Sequence, residues 1–344
     1  MNLDFTGEQQ ALRSTLRDFF EKESPPAAVR AAEPLGFDAA LWRKVAELGF
    51  PSMAVPESCG GGGAGWVELA IAAEALGQYL APVPLIEAAV AGGLLATLAG
   101  LAPGEGVATL ALSPAAGTAA GTVARLVPAG AVADLVVVLR GEELLLVEQR
   151  DKPAAAVPNL GSMPLADCPV PEDAVVLARG EEAVAAWSRG VRQWRLLTAA
   201  ALAGLAARAL EIGLGYVVQR RAFGVLIGSF QTVQHRLADH ATSVDGARLL
   251  SYKAAWALDR GLPSAGFLAE AAFLYAGETA FATASDSLHF HGGYGYTLEY
   301  DIQLYFRRAK AWPLVAGDRR AGYAALARSR YGGRVMDFSR GGIA

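Results

Sequence analysis

The chain of 344 residues is 53% hydrophobic and 19% charged, too apolar for a disordered protein and long enough for two or three domains. Two cysteines and four histidines exclude a disulfide scaffold and fit a Cys/His zinc cluster poorly. The net charge of −4 divides into −10 over residues 1–180 and +6 over residues 181–344; the basic half suits a phosphate-bearing ligand or simply solvated helix faces, and the lack of a Lys-rich tract argues against nucleic acid.

The N-terminal third reads as helices. Thr6 stands three residues before Gln9 in capping-box spacing, and Leu12, Leu16, Phe19 and Phe20 follow as one apolar stripe. Further helices are predicted over Phe37–Leu48, Gly65–Tyr79 and Leu85–Leu101, with breaks at Pro25-Pro26, Pro51, Pro56–Gly63 and Pro82-Val-Pro84. The uncharged apolar stretches Ala88–Pro103 and Leu196–Ala207 are shorter than the ~20 residues of a membrane span. The first residues lack a basic segment leading into an apolar core, so a cytoplasmic protein is expected.

From about Gly106 to Val176 the chain changes to short β-prone runs: Val107–Leu112, Thr122–Val127, Asp134–Leu139 and Leu144–Glu148. It then returns to helices, predicted over Trp194–Arg221, Thr232–Asp259, Ala265–His289 and Asp301–Ala311. The first of these carries small or polar residues near 201, 204, 208, 211, 215 and 219 and is apolar elsewhere, the pattern of a helix buried on several sides of a bundle.

Three segments could carry chemistry. The run Cys59–Gly65 matches neither common nucleotide fingerprint and reads better as a sharp interhelical turn. His289-Phe-His291-Gly-Gly-Tyr-Gly-Tyr-Thr297 allows close backbone approach to a flat or phosphate-bearing ligand, or is a decorated helix end; its two histidines do not face one metal. Arg220 through Gln231 combines a guanidinium for phosphate oxygens, the aromatic Phe223 and an amide that donates and accepts; alone, it reads equally as a helix–turn–helix with a surface Arg.

Taken together, these segments resemble the acyl-CoA dehydrogenase family. The resemblance starts with Leu3-Asp-Phe-Thr-Gly-Glu-Gln-Gln-Ala-Leu-Arg and continues through Leu41-Trp-Arg-Lys-Val-Ala-Glu-Leu-Gly-Phe and Val55-Pro-Glu-Ser-Cys-Gly-Gly. It extends through the Arg220/Phe223/Gln231 spacing to Phe290-His-Gly-Gly-Tyr-Gly-Tyr-Thr-Leu-Glu-Tyr and Tyr305-Phe-Arg-Arg-Ala-Lys310. The implied fold is mainly α with a small β-domain: an N-terminal helical domain (1–104), a shortened central β-barrel-like domain (105–179) and a C-terminal four-helix bundle (180–344). The implied assembly is a dimer or a dimer of dimers. The implied reaction is FAD-dependent α,β-desaturation of an acyl-CoA thioester, with electron-transfer flavoprotein as acceptor. FAD in such proteins straddles two subunits, and the residues reaching toward a neighbour's FAD would be Arg220, Phe223, Gln231, Gly292 and Gly293, with His289 where a Gln is usual. Arg195, near the start of the long bundle helix, is the implied substrate-side residue.

The sequence departs from that family at the catalytic base. The usual Glu before Gly317 is Ala316, and the alternative position before Arg195 is Trp194. An Ala methyl accepts no proton, and the nearest acid is Asp318. The flavin-ring segments also differ: Ala111-Leu-Ser113-Pro114-Ala-Ala-Gly117-Thr118 resembles a remnant of one, and Val123–Leu139 has neither the Trp nor the Lys of the other. These departures predict a chain with no catalytic base of its own, a supporting subunit that completes FAD sites with a homologous catalytic partner in an α2β2 assembly. A self-sufficient homo-oligomer using Asp318 and a non-enzymatic acyl-CoA-binding or scaffold subunit are the alternatives.

Overall fold

The computed structural model describes residues 4–332 apart from 102, 103, 105, 120 and 150–152. Its first part is helical: α1 (Gly7–Glu23), α2 (Pro26–Ala31), α3 (Ala39–Glu47), α4 (Trp66–Tyr79) and α5 (Leu85–Ala99). The Thr6/Gln9 capping box forms as the spacing implies, with Gln9 N donating to Thr6 Oγ1 at 3.2 Å and Thr6 N to Gln9 Oε1 at 3.0 Å. The Pro25-Pro26 break hides a helix start, since Pro26 occupies the first position of α2, where no amide hydrogen is needed. The glycine run is an interhelical turn. Gly62, Gly63 and Ala64 donate to the carbonyls of Ser52, Val55 and Met53, and a Cβ on Gly61 would meet Val55 O at 2.2 Å.

Two small sheets follow. In the first, β1 (Ala108–Leu110) pairs parallel with β4 (Leu135–Arg140), which pairs antiparallel with β5 (Glu143–Glu148), and that with β7 (Val175–Arg179). In the second, β3 (Gly121–Val127) lies between β2 (Ala116–Thr118) and β6 (Ala166–Pro169). Central β4 is apolar on both faces, as a strand covered on both sides must be.

The last part is a bundle of α6 (Gly180–Val217), α7 (Gln231–Asp259), α8 (Ala265–Phe290) and α9 (Ile302–Leu314), with α10 (Arg319–Tyr331) against it. Helix α6 begins 14 residues before the apolar pattern does. Its charged first turns face out, with Glu181 and Glu182 at the N-terminus where the helix dipole favours them. By length and hydropathy α6 would suffice to cross a membrane, contrary to the count of its uncharged stretch, but 78% of its most apolar window is buried inside this fold. Its small-residue stripe explains the close packing. A Cβ on Gly204 would lie 2.0 Å from Glu74 O of α4, and one on Gly77 of α4 would lie 1.8 Å from Ala201 O. Backbones this close admit no larger side chain at either glycine.

Candidate functional site

The structure gathers the family-type motifs at one end of the bundle. Beyond α6 the chain makes a two-stranded hairpin, β8 (Arg221–Ala222) and β9 (Val225–Leu226), in place of a simple helix–turn–helix. Its two-residue loop is Phe223-Gly224, with φ of +53° and +82°. A two-residue hairpin whose loop residues both have positive φ suits the right-handed twist of its strands, but a phenylalanine there is strained. Phe223 is 96% exposed, its ring meeting Phe230 edge-on at 6.4 Å. Strain and exposure together mark a side chain displayed for something outside this chain.

Helix α7 starts at Gln231 with no side chain capping its N-terminus. Its first amide hydrogens are therefore available to an anion. Across from it, α8 ends at His291, and Gly292 (φ +60°) turns the chain into the short 3-10 segment Gly292–Tyr296. A Cβ built on Gly292 or Gly293 meets nothing within 4 Å, so these two residues present open backbone. Arg220 joins the two elements, its guanidinium 5.8 Å from the Tyr294 ring centre. Arg220, Phe223, Gln231, Gly292 and Gly293 are all solvent-exposed.

His289 is exposed too. The histidine that builds the site is His291, which sequence reasoning left without a role. It is buried, stacks on Tyr216 at 3.9 Å, and its Nδ1 lies 2.7 Å from Ser287 O. A carbonyl partner requires Nδ1 to carry the hydrogen and donate it. Burial lowers the His291 pKa against the opposing Ser287 bond, so the ring stays neutral and locks the end of α8 onto α6.

Arg195 lies elsewhere, roughly 33 Å back along α6 at ~1.5 Å per residue from Val217. It lines a cavity of about 540 Å³ with Glu270, Phe273, Lys310, Ala316 and Asp318. Glu270, which sequence reasoning missed, forms an ion pair with Arg195, whose guanidinium also lies 6.0 Å from the Phe273 ring. Ala316 brings only a methyl to this cavity. Asp318 is the N-cap of α10, its Oδ2 accepting from Ala321 N at 3.1 Å. That bond engages the carboxylate locally.

Trp194 lines a second, mostly apolar cavity between the α4–α5 turn, α6 and the loops Pro128-Ala129 and Ser162–Pro164. Glu87 of α5 reaches into it, and the Trp194 indole N–H donates to Glu87 Oε1 at 3.0 Å. Burial raises the Glu87 pKa, with the Trp194 bond opposing.

Two family profiles cover most of the chain: the acyl-CoA dehydrogenase N-terminal domain over residues 6–101 and the acyl-CoA dehydrogenase C-terminal domain over residues 185–329. The acyl-CoA dehydrogenase IpdE2 of Mycolicibacterium smegmatis is 32% identical over 311 residues, covering 88% of this chain and 92% of that protein. The chain belongs to the acyl-CoA dehydrogenase family. Among solved structures, the ChsE4-ChsE5 complex from Mycobacterium tuberculosis contains a chain 28% identical with a TM-score of 0.82, covering 96% of this acyl-CoA dehydrogenase homologue and 99% of that chain. A steroid acyl-CoA dehydrogenase variant, Tcur3481-Tcur3483, aligns at 26% identity and a TM-score of 0.83 over 95% of this chain and 98% of that one. The family is one of FAD-dependent oxidoreductases, and the mostly helical fold with a small central β region is the family's fold.

Whether this chain fits FAD divides by half-site. The bundle-end surface fits the adenosine and pyrophosphate part: an exposed guanidinium at Arg220, the displayed Phe223, the uncapped α7 N-terminus and the open backbone at Gly292-Gly293. The flavin-ring side lacks the aromatic and lysine expected on its β strands, since Val123–Leu139 contains neither.

Proposed function

We propose that this chain is the supporting subunit of a heteromeric acyl-CoA dehydrogenase, lending its bundle end to FAD held mainly by a homologous catalytic partner. The observation that carries this reading is the pairing of an intact bundle-end surface with a base position occupied by Ala316. Two of the structural neighbours bear two-component names, ChsE4-ChsE5 and Tcur3481-Tcur3483, and they support the same reading.

In this arrangement Arg220 binds phosphate oxygens, the α7 N-terminus adds amide donors, Phe223 packs against a planar ring and Gly292-Gly293 lets the ligand approach backbone. Bound FAD supplies hydride acceptance from the acyl β-carbon. The proton from the α-carbon goes to the partner's carboxylate, because Ala316 accepts none and the Asp318 carboxylate caps α10. Electron-transfer flavoprotein is the proposed acceptor, and the cytoplasm the proposed location.

Purification of the chain alone and co-expressed with a homologue carrying Glu at the Ala316 position tests the proposal. The expected result is turnover of acyl-CoA only in the co-purified assembly. Equal turnover by the chain alone overturns it and favours the homo-oligomeric enzyme.

A further inference from the structure

The cavity beside Trp194 carries a polar floor that the FAD surface and the missing base leave unexplained. It measures about 80 Å³ and is walled by Leu80, Val83, Ile86, Met163 and Trp312, room for several heavy atoms beyond one water. Its polar lining includes Glu87, Thr198, Ser162 and Arg308.

Thr198 is 3% exposed, and its Oγ1 has no hydrogen-bond partner among the described residues. A threonine inside a helix normally returns its hydroxyl to the carbonyl one turn back. Here that bond is absent, and a buried hydroxyl left unpaired loses the hydrogen bonds it made to water. It sits four residues after Trp194, on the same face of α6.

Glu87 enters from α5. Its Oε1 accepts from the Trp194 indole N–H at 3.0 Å. Glu87 is half-buried and lines the cavity. The only other ionisable group on the wall, Arg308, is held by Glu33 at 3.1 Å. The Thr198 hydroxyl and the Glu87 carboxyl therefore both line this mostly apolar space.

We propose that this cavity selects an acyl group bearing one neutral oxygen, a hydroxyl or a ketone, which Thr198 and Glu87 bind while the apolar walls take the carbon skeleton. A plain hydrocarbon would leave the Thr198 hydroxyl unpaired, and a carboxylate would face the Glu87 carboxyl. The assignment of an acyl group rests on the family reading above; the polar preference rests on the cavity itself.

Calorimetry on the full chain, alone and assembled with its partner, tests this with cyclohexanecarboxyl-CoA and its 4-hydroxy and 4-oxo counterparts. Binding at this cavity is expected to favour the oxygenated thioesters by about tenfold, roughly the worth of one well-made buried hydrogen bond. Thr198→Val and Glu87→Leu should each abolish that preference without weakening the plain thioester, and Thr198→Ser should keep it. Equal affinity for all three ligands, no binding of any, or a preference that survives both Thr198→Val and Glu87→Leu overturns the proposal. Since the readout is a ratio of affinities, it is independent of whether the chain turns over substrate or shares FAD.

Discussion

Trp194 and Glu87 hold one another across the α5–α6 contact, the indole N–H donating to Oε1 at 3.0 Å. Trp194 of α6 thus binds a carboxyl contributed by another helix. Burial raises the Glu87 pKa above 4.5, so the native state holds the proton more tightly than the unfolded chain does. The stabilisation from that proton is complete below about pH 4.5 and is lost as pH rises through the folded value. Glu87→Gln keeps the acceptor for Trp194 and removes the charge. Thermal unfolding should show the variant more stable than the parent above the folded value and no more stable below pH 4.5. A gain of the same size at every pH would assign the effect to something other than ionisation.

Asp318 separates the supporting-subunit reading from the self-sufficient one. As the N-cap of α10 it should cost about 0.5–2 kcal/mol of stability when changed to Ala. Turnover by the assembly should be unchanged at a temperature where the variant is folded. A loss of turnover of a hundredfold or more, with stability and flavin content intact, would make Asp318 the base.

Two glycines should respond in opposite ways. Gly77→Ala places a methyl 1.8 Å from Ala201 O and forces α4 from α6, a cost of at least about 1–3 kcal/mol in chemical denaturation. A Cβ at Gly293 meets nothing within 4 Å, so Gly293→Ala should hold its melting temperature within the small range of surface substitutions. Its side chain would stand in the space where a partner's FAD approaches, and flavin retained by the assembly should fall. Retention equal to the parent's would show that nothing approaches Gly293.

Much of this was legible in the sequence because it rests on local chemistry. The Thr6/Gln9 cap, the α4 and α8 boundaries and strands β3 to β5 follow from periodicity and turn residues. The structure also sets Arg220 beside Tyr294 of the Gly292–Tyr296 segment and Phe223 beside Phe230. What stayed hidden depends on contacts distant in sequence. Glu87 is one acid in an apolar helix, and its meaning comes from Trp194, 107 residues away. The choice between His289 and His291 is equally tertiary: the two are neighbours in sequence, and only packing against Tyr216 decides which is buried. Helix α10 was missed because it is polar on most of its surface and has no fully buried residue to set a period.

Arg220 offers the most direct test of the shared site. In the assembly with the catalytic partner, Arg220→Ala in this chain alone should weaken FAD binding by about tenfold to a hundredfold, the range for losing a hydrogen bond to a charged group. Flavin absorbance per assembly after gel filtration measures it, with assembly size as the control for subunit pairing. Loss of flavin from an assembly that still pairs is the result expected if this chain completes its partner's site. Full flavin occupancy with Arg220→Ala, at unchanged affinity, would contradict it.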